Sequence, residues 1–542
     1  MTTRSKVPAC YLAVIALATA FAPQQSDADE ESRRPNIIIV LTDDQRYDAM
    51  GFVNPSLDTP NINKLARKGL HFSNTFVTTS LCSPSRATLL TGKPMREHGV
   101  VDNNSGLPAD LDTFPQALQR AGYKTALIGK WHMGGDNAAP RPGFDRWVSF
   151  AGQGFYYPVG RFGQPPMLNI DGEEVAQRGY ITDELTDYAL EWLESQEKTP
   201  EPFMLYLGHK AVHAFFEPAE RHLGSYNDVD IVDVTPSLDD MKSEPMWVQN
   251  QRNSWHGTDY PYHTELSLVE YRRDYYETLS AVDDSLGRII EWVENSKQAD
   301  NTYIVLLSDN GFLFGEHGLI DKRNAFEESM RIPLIIAGPG ITRRGETEAS
   351  SVSMLNIAPT LIDLANGSAK DPLEGRGLVP FFDGSMADWS DEVIYEYFWE
   401  FNYPHTPTQF AIRDGRWKYV RLHGVWDTDA LYDLENDPGE TNNLIASAEH
   451  LEVRLDLQRR LHDALDRGDG RANVPFTYKY NQGAVFRSDR SPDAAEFPDR
   501  WIRDENDPER LEHFLEDGPE KEKILPMLTE GFEENEARIR AN

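Results

Sequence analysis

The chain predicts an α/β fold: a large, mainly parallel sheet flanked by helices, followed by a smaller C-terminal α+β domain built on an antiparallel sheet. Three observations predict it. Continuous apolar runs of strand length recur through roughly the first 390 residues. Helical patterns separate them. After about Asp391 the character changes to short aromatic-rich runs joined by turns.

Residues 35–41 (Pro-Asn-Ile-Ile-Ile-Val-Leu) have no polar alternation, as expected of a strand buried on both faces. Similar runs follow at residues 124–128, 203–207, 303–307 and 334–337. Helices are expected over 113–121 and 182–193. A long one runs through Tyr275, Leu279, Val282, Leu286, Ile289 and Val293, at spacings of three and four. This alternation implies a parallel sheet with helices on both faces, and such sheets bind ligands at the carboxyl ends of their strands. Farther on, residues 393–399, 410–413 and 417–422 read as hairpins, the last two joined by Asp414-Gly415. Residues 431–434 lead into the turn Asp437-Pro438-Gly439-Glu440, and a helix near 451–465 covers the small sheet. The expected boundaries are a signal peptide over 1–22 (or to 28), a main domain over 33–390, the antiparallel subdomain over 391–485 and an acidic extension over 486–542.

With 53 Lys+Arg against 88 Asp+Glu, the net charge of −35 has the wrong sign for a nucleic-acid binder. An anionic ligand would need local positive charges of its own. Arg4 and Lys6 precede an apolar run over 9–22 that is too short to span a bilayer, the pattern of a secretory signal. The expected location is periplasmic or extracellular, and no later segment reads as membrane-spanning. Of the two cysteines, Cys10 leaves with the signal, so Cys82 has no disulfide partner. A lone thiol in an oxidising compartment is a liability unless it is buried or chemically consumed.

Asp43-Asp44 directly follow the first strand, and Asp309-Asn310 follow the run 303–307. One such pair is commonly just a turn. Two pairs at strand ends offer carboxylates and an amide oxygen to a hard cation. Other polar groups also follow strands: Lys130 and His132 in Gly129-Lys130-Trp131-His132, and His213 in Gly208-His209-Lys210-Ala211-Val212-His213. His317 lies in Gly315-Glu316-His317-Gly318, shortly before Asp321-Lys322-Arg323.

The segment Leu81-Cys82-Ser83-Pro84-Ser85-Arg86 carries Cys-x-Pro-x-Arg ahead of a helical run that stops at Gly92. It resembles the maturation signature of type I sulfatases, and residues 122–132 resemble that family's second signature. The resemblance covers roughly residues 35–440 and implies an alkaline phosphatase-like fold. It implies that a formylglycine-generating enzyme oxidises Cys82 to an aldehyde whose hydrate is the nucleophile. It implies a metal, commonly Ca²⁺ with Mg²⁺ as the alternative, held by Asp43, Asp44, Asp309, Asn310 and the converted Cys82. Lys130 and Lys322 would hold the sulfate, Arg86 the hydrate, and Asp309 with the metal would activate the attacking hydroxyl. His213 would protonate the leaving oxygen, and His132 would take the proton whose loss expels sulfate. An unmodified thiol lacks the second hydroxyl and would be trapped as an adduct.

Three aspartates against a divalent ion, Arg86, Lys130 and Lys322 leave a local surplus of about two positive charges. Each close ion contact is worth up to about 4 kcal/mol at an effective dielectric near 20. That surplus accepts a monoanionic sulfate ester on an otherwise negative protein. The subfamily nearest in character is that of bacterial glycan sulfatases, mucin-desulfating or N-acetylglucosamine-6-sulfatase-like, which implies a sulfated saccharide substrate. His317, Trp255, His256, Trp399 and His405 are the candidate substrate contacts, since aromatic and imidazole groups suit sugar rings and hydroxyls. The rival readings are a phosphoester or phosphonate hydrolase of the same superfamily, a non-catalytic glycan-binding relative, and a sulfate transferase.

Overall fold

A computed structural model describes residues 1, 34–134, 137–160, 164–236, 244–251, 267–400, 403, 405–423 and 428–467. The expected signal peptide, the acidic extension, Trp255 and His256 lie outside the described residues.

Ten strands form the main sheet: β1 (Asn36–Thr42), β2 (Leu70–Phe72), β3 (Lys124–Gly129), β4 (Arg146–Phe150), β5 (Met167–Ile170), β6 (Glu173–Ala176), β7 (Phe203–Gly208), β8 (Thr302–Ser308), β9 (Leu334–Ala337) and β10 (Thr347–Glu348). Their spatial order is β10-β2-β9-β8-β1-β7-β3-β4-β5-β6. The five central strands, β8 through β4, are parallel. The sequence reading expected β9 within this parallel set, but it pairs antiparallel with β8. Between β8 and β9 the helical segments are the short turns Glu316–Gly318 and Glu327–Met330, beside three two-residue strands. Neither is long enough to cross the sheet, so the chain re-enters from the end it left.

Strand alternation divides the core in two. Ile38 and Val40 face a cluster with Leu279, Val282 and Leu286 of the long helix Leu268–Asn295. Ile37, Ile39 and Leu41 face the opposite cluster, with Leu89, Leu118 and Leu361. All of these side chains are buried, each contributing roughly 1.5–3 kcal/mol. The long helix begins at a reciprocal cap: Ser267 Oγ accepts from Glu270 N at 3.1 Å, and Glu270 reaches back to Ser267 N.

The C-terminal sheet is antiparallel throughout, with Glu392–Tyr397, Gln409–Asp414, Trp417–Leu422 and Ala430–Asp433 in sequential order. One face packs Ile412, Tyr419 and Leu431 against Leu457 and Leu461 of the helix Leu451–Leu465. The other places Tyr395, Tyr397 and Val420 against Phe76, Phe326 and Leu81, the residue before Cys82. Among the described residues, no helix is long and apolar enough to cross a membrane.

Candidate active site

Sheet register assembles the site. β1 and β8 run in phase, with Thr42 opposite Ser308, so Asp43-Asp44 and Asp309-Asn310 emerge side by side. On the other flank Gly129 lies opposite Gly208, and Lys130 N donates to Gly208 O at 2.8 Å. Only glycine fits at 129: its φ is +119°, and a Cβ there would fall 1.8 Å from Gly208 O. Cys82 arrives on the first turn of the buried helix Cys82–Thr91, entered from extended Leu81 and closed by left-handed Gly92. Pro84 sits in that first turn, where a missing N–H costs nothing.

Arg86, four residues along the same helix, ties the strand ends together. Its Nη2 donates to Asp43 Oδ2 and its Nε to Asp309 Oδ2, both at 2.8 Å, while Nη1 donates to Lys130 O at 2.8 Å. Asn310 Nδ2 donates to Asp44 Oδ1 at 2.6 Å. Lys322 Nζ donates to Asp44 Oδ1 and lies 3.4 Å from Cys82 Sγ, which is itself 3.6 Å from Asp43 Oδ1. One ligand atom each from Asp43, Asp44, Cys82 and Asp309 falls within 4.8 Å of the others. Asp44 Oδ2 and Asn310 Oδ1 are buried there without a hydrogen-bond partner. Orphaned oxygens of this kind are costly unless a cation takes them up, so the donor set fits a hard divalent ion.

The electrostatics follow from burial and crowding. Burial alone would raise the Asp43 carboxyl, yet Lys130 and Arg86 hold it well below the usual range. Burial pushes Asp44 up to about 7, helped by Asp43 and Asp309 and opposed by Lys322. Burial also raises Asp309 and the Cys82 thiol. Burial works against charge on Lys322, but Asp44 and neighbouring acids keep its pKa well above the ordinary lysine value.

His213 and His132 stand on either side. His213 Nε2 is 3.9 Å from Asp44 Oδ2, and its Nδ1 is 2.6 Å from Ala214 O, which fixes the ring with its Nε2 edge inward. His132 Nδ1 is 3.3 Å from Ser83 Oγ, which also donates to the His132 carbonyl. Burial depresses both imidazoles, with Lys322 and Lys130 adding to the effect on His213 and Lys130 on His132. The structure therefore brings together Asp43, Asp44, Cys82, Arg86, Lys130, His132, His213, Asp309, Asn310 and Lys322.

The substrate candidates fall differently. His317 is buried, stacked on Phe326 at 3.6 Å between ring centroids, with Nδ1 3.2 Å from Glu244 Oε1. Trp399 N donates to Thr408 Oγ1 at 2.9 Å, and His405 is half-buried nearby in sequence. Sequence reasoning missed Gln153, whose Oε1 accepts from Lys130 Nζ. It also missed the brace on Lys322. Asp321 and Arg323 on either side both have positive φ, 89° and 74°. Arg323 pairs with Glu400 at 3.0 Å, contacts Asp321 and lies 3.5 Å over the Tyr403 ring. Strained backbone persists where its surroundings over-determine it.

Comparison with known proteins gives the family and the fold. The sulfatase family model matches residues 35–368, and that of the N-sulphoglucosamine sulphohydrolase C-terminal region matches 315–467. An N-acetylglucosamine-6-O-sulfatase of Bacteroides thetaiotaomicron is 32% identical, covering 83% of this chain and 89% of that protein. A choline-sulfatase of Rhizobium meliloti is 30% identical over 76% of this chain and 82% of its own length. Among solved structures, an enzyme in complex with its substrate D-glucosamine-2-N,6-O-disulfate superposes with a TM-score of 0.70 at 31% identity, covering 82% of this chain and all of that one. A phosphonate monoester hydrolase of Agrobacterium radiobacter gives 0.66 at 25% identity, covering 79% and 95%. The chain belongs to the sulfatase family and has its alkaline phosphatase-like fold.

Proposed function

We propose that this enzyme hydrolyses sulfate esters of a saccharide, with Cys82 converted to formylglycine and a divalent ion, Ca²⁺ before Mg²⁺, held by Asp43, Asp44, Asp309, Asn310 and the converted Cys82. The observation that carries it is the meeting of Cys82 with two lysines, two histidines and an orphaned oxygen pair at the strand ends. The relative bound to D-glucosamine-2-N,6-O-disulfate and the N-acetylglucosamine-6-O-sulfatase relative support an amino-sugar 6-sulfate as substrate.

The residues divide the work. Lys130 and Lys322 offer their ammonium groups to the sulfate oxygens. Arg86 locks Asp43 and Asp309 in place, so the site is built before substrate enters. The metal, when bound, supplies Lewis-acid polarisation at the nucleophile. Cys82, once converted, would supply one hydroxyl for attack and a second whose loss of a proton would release the product sulfate. His213 presents Nε2 to the departing oxygen and gives it a proton. Burial depresses this imidazole first, and Lys322 and Lys130 add to it; the incoming anion offsets the share of the cations. His132, steadied by Ser83, accepts the proton in the release step. Export to the periplasm or beyond, and maturation by a formylglycine-generating enzyme, belong to the same reading.

Paired rates on 4-nitrophenyl sulfate and 4-nitrophenyl phosphate, followed by sulfate release from defined sulfated amino sugars, test it. Sulfate esters are expected to be the better substrates. A higher kcat/KM on the phosphate would favour the phosphoester or phosphonate hydrolase reading, for which the Agrobacterium structure is the supporting likeness.

A further inference from the structure

Lys210 is a buried cation to which the ester-cleavage chemistry assigns no part. It follows β7 and lies three residues before His213, and it is only 4% exposed. Among the described residues its ammonium makes no hydrogen bond and no ion pair. Its one ring contact is the face of Tyr156, 4.4 Å from the centroid. Tyr156 Oη in turn donates to the His213 carbonyl at 2.8 Å, so one tyrosine clips Lys210 and His213 to the same wall. The other two lysines of the pocket are engaged, Lys130 by Asp43 and Gln153, and Lys322 by Asp44.

A cation–π contact offsets only part of what burying an ammonium costs. Three N–H donors thus stand ready beside the group assigned to protonate the leaving oxygen. We propose that Lys210 donates a hydrogen bond to the substrate on the leaving-group side of the pocket and holds the charge that gathers on the ester oxygen as the S–O bond breaks. The inference rests on the sulfate-ester reading above. Burial and Lys130 lower this lysine to about 8, with Asp43, Glu217 and Asp44 acting in the opposite sense, so it stays cationic at neutral pH. A donor poised near the working pH suits such a role.

The test uses the full chain carrying formylglycine and a series of aryl sulfates whose phenols span a range of acidity. Lys210→Met should lower kcat/KM by about tenfold to a hundredfold on the least acidic phenols. On 4-nitrophenyl sulfate the loss should be about threefold or less, because that leaving group needs little help. If Lys210→Met folds poorly, Lys210→Gln carries the test with the same order of losses, since it keeps donors but not charge. Equal losses across the series, or none, in an enzyme that is active as wild type overturn the inference alone. A wild-type protein that releases no sulfate from any ester overturns the reading beneath it and the inference with it.

Discussion

Asn310 donates its amide to Asp44 Oδ1 at 2.6 Å, and each residue is left with one buried oxygen that nothing satisfies, Asn310 Oδ1 and Asp44 Oδ2. The hydrogen bond fixes both side chains, so the two free oxygens are set before any ion arrives. Chelation should therefore abolish turnover and lower Tm, and Ca²⁺ should restore both. At a hundredfold excess over Kd, the ion stabilises by about 2.7 kcal/mol. Asn310→Ala should weaken the ion by about ten- to a hundredfold, read as a shift in the calcium dependence of Tm.

Arg86 holds two buried carboxylates from different strands. Arg86→Met takes from Asp309 its ion pair and leaves Asp43 with Lys130. The expected cost is about 3–5 kcal/mol in urea denaturation, together with loss of activity. A variant as stable as wild type would show that the metal site does not depend on this guanidinium.

The C-terminal subdomain reaches the site through Arg323, which Glu400 and Tyr403 grip beside Lys322. Glu400→Gln keeps the shape of the side chain and removes its charge. KM should rise by about tenfold as the Lys322 turn slackens, with a smaller change in kcat. An unchanged KM would make this contact merely structural.

Asp274, on the long helix, offers a pH test of stability. Burial, with Glu277 and Glu270 nearby, raises it from 3.8 to about 7 in the folded protein. The folded state then holds a proton that the unfolded chain gives up, so its contribution is present below about pH 4 and lost as pH rises through 7. Asp274→Asn, which never ionises, should gain on the order of 2 kcal/mol at about pH 8 and much less at about pH 5. Urea midpoints at the two pH values check the sign.

The central strands and the acid pairs after them were legible because a strand buried on both faces is written as an unbroken apolar run, and its first polar residue marks the site edge. Register did the rest: Thr42 opposite Ser308 is all that Asp43 and Asp309 need. The small antiparallel sheet and its covering helix were legible from Asp414-Gly415 and from the apolar spacing of Leu457 and Leu461. Gln153 was not, since a single amide on a loop has no period and its contact to Lys130 depends on tertiary placement. The direction of β9 was hidden for the same reason, because it depends on the lack of a crossing helix. The setting of His317 was not legible either: nothing in a glycine-rich turn announces that its ring stacks on Phe326.

The most direct test of the nucleophile is peptide mass spectrometry of position 82 in protein of measured specific activity. If position 82 carries the nucleophile, sulfate release scales with the fraction carrying formylglycine and vanishes in Cys82→Ala, which should fold normally. Full activity in protein whose Cys82 is an unmodified thiol would contradict it.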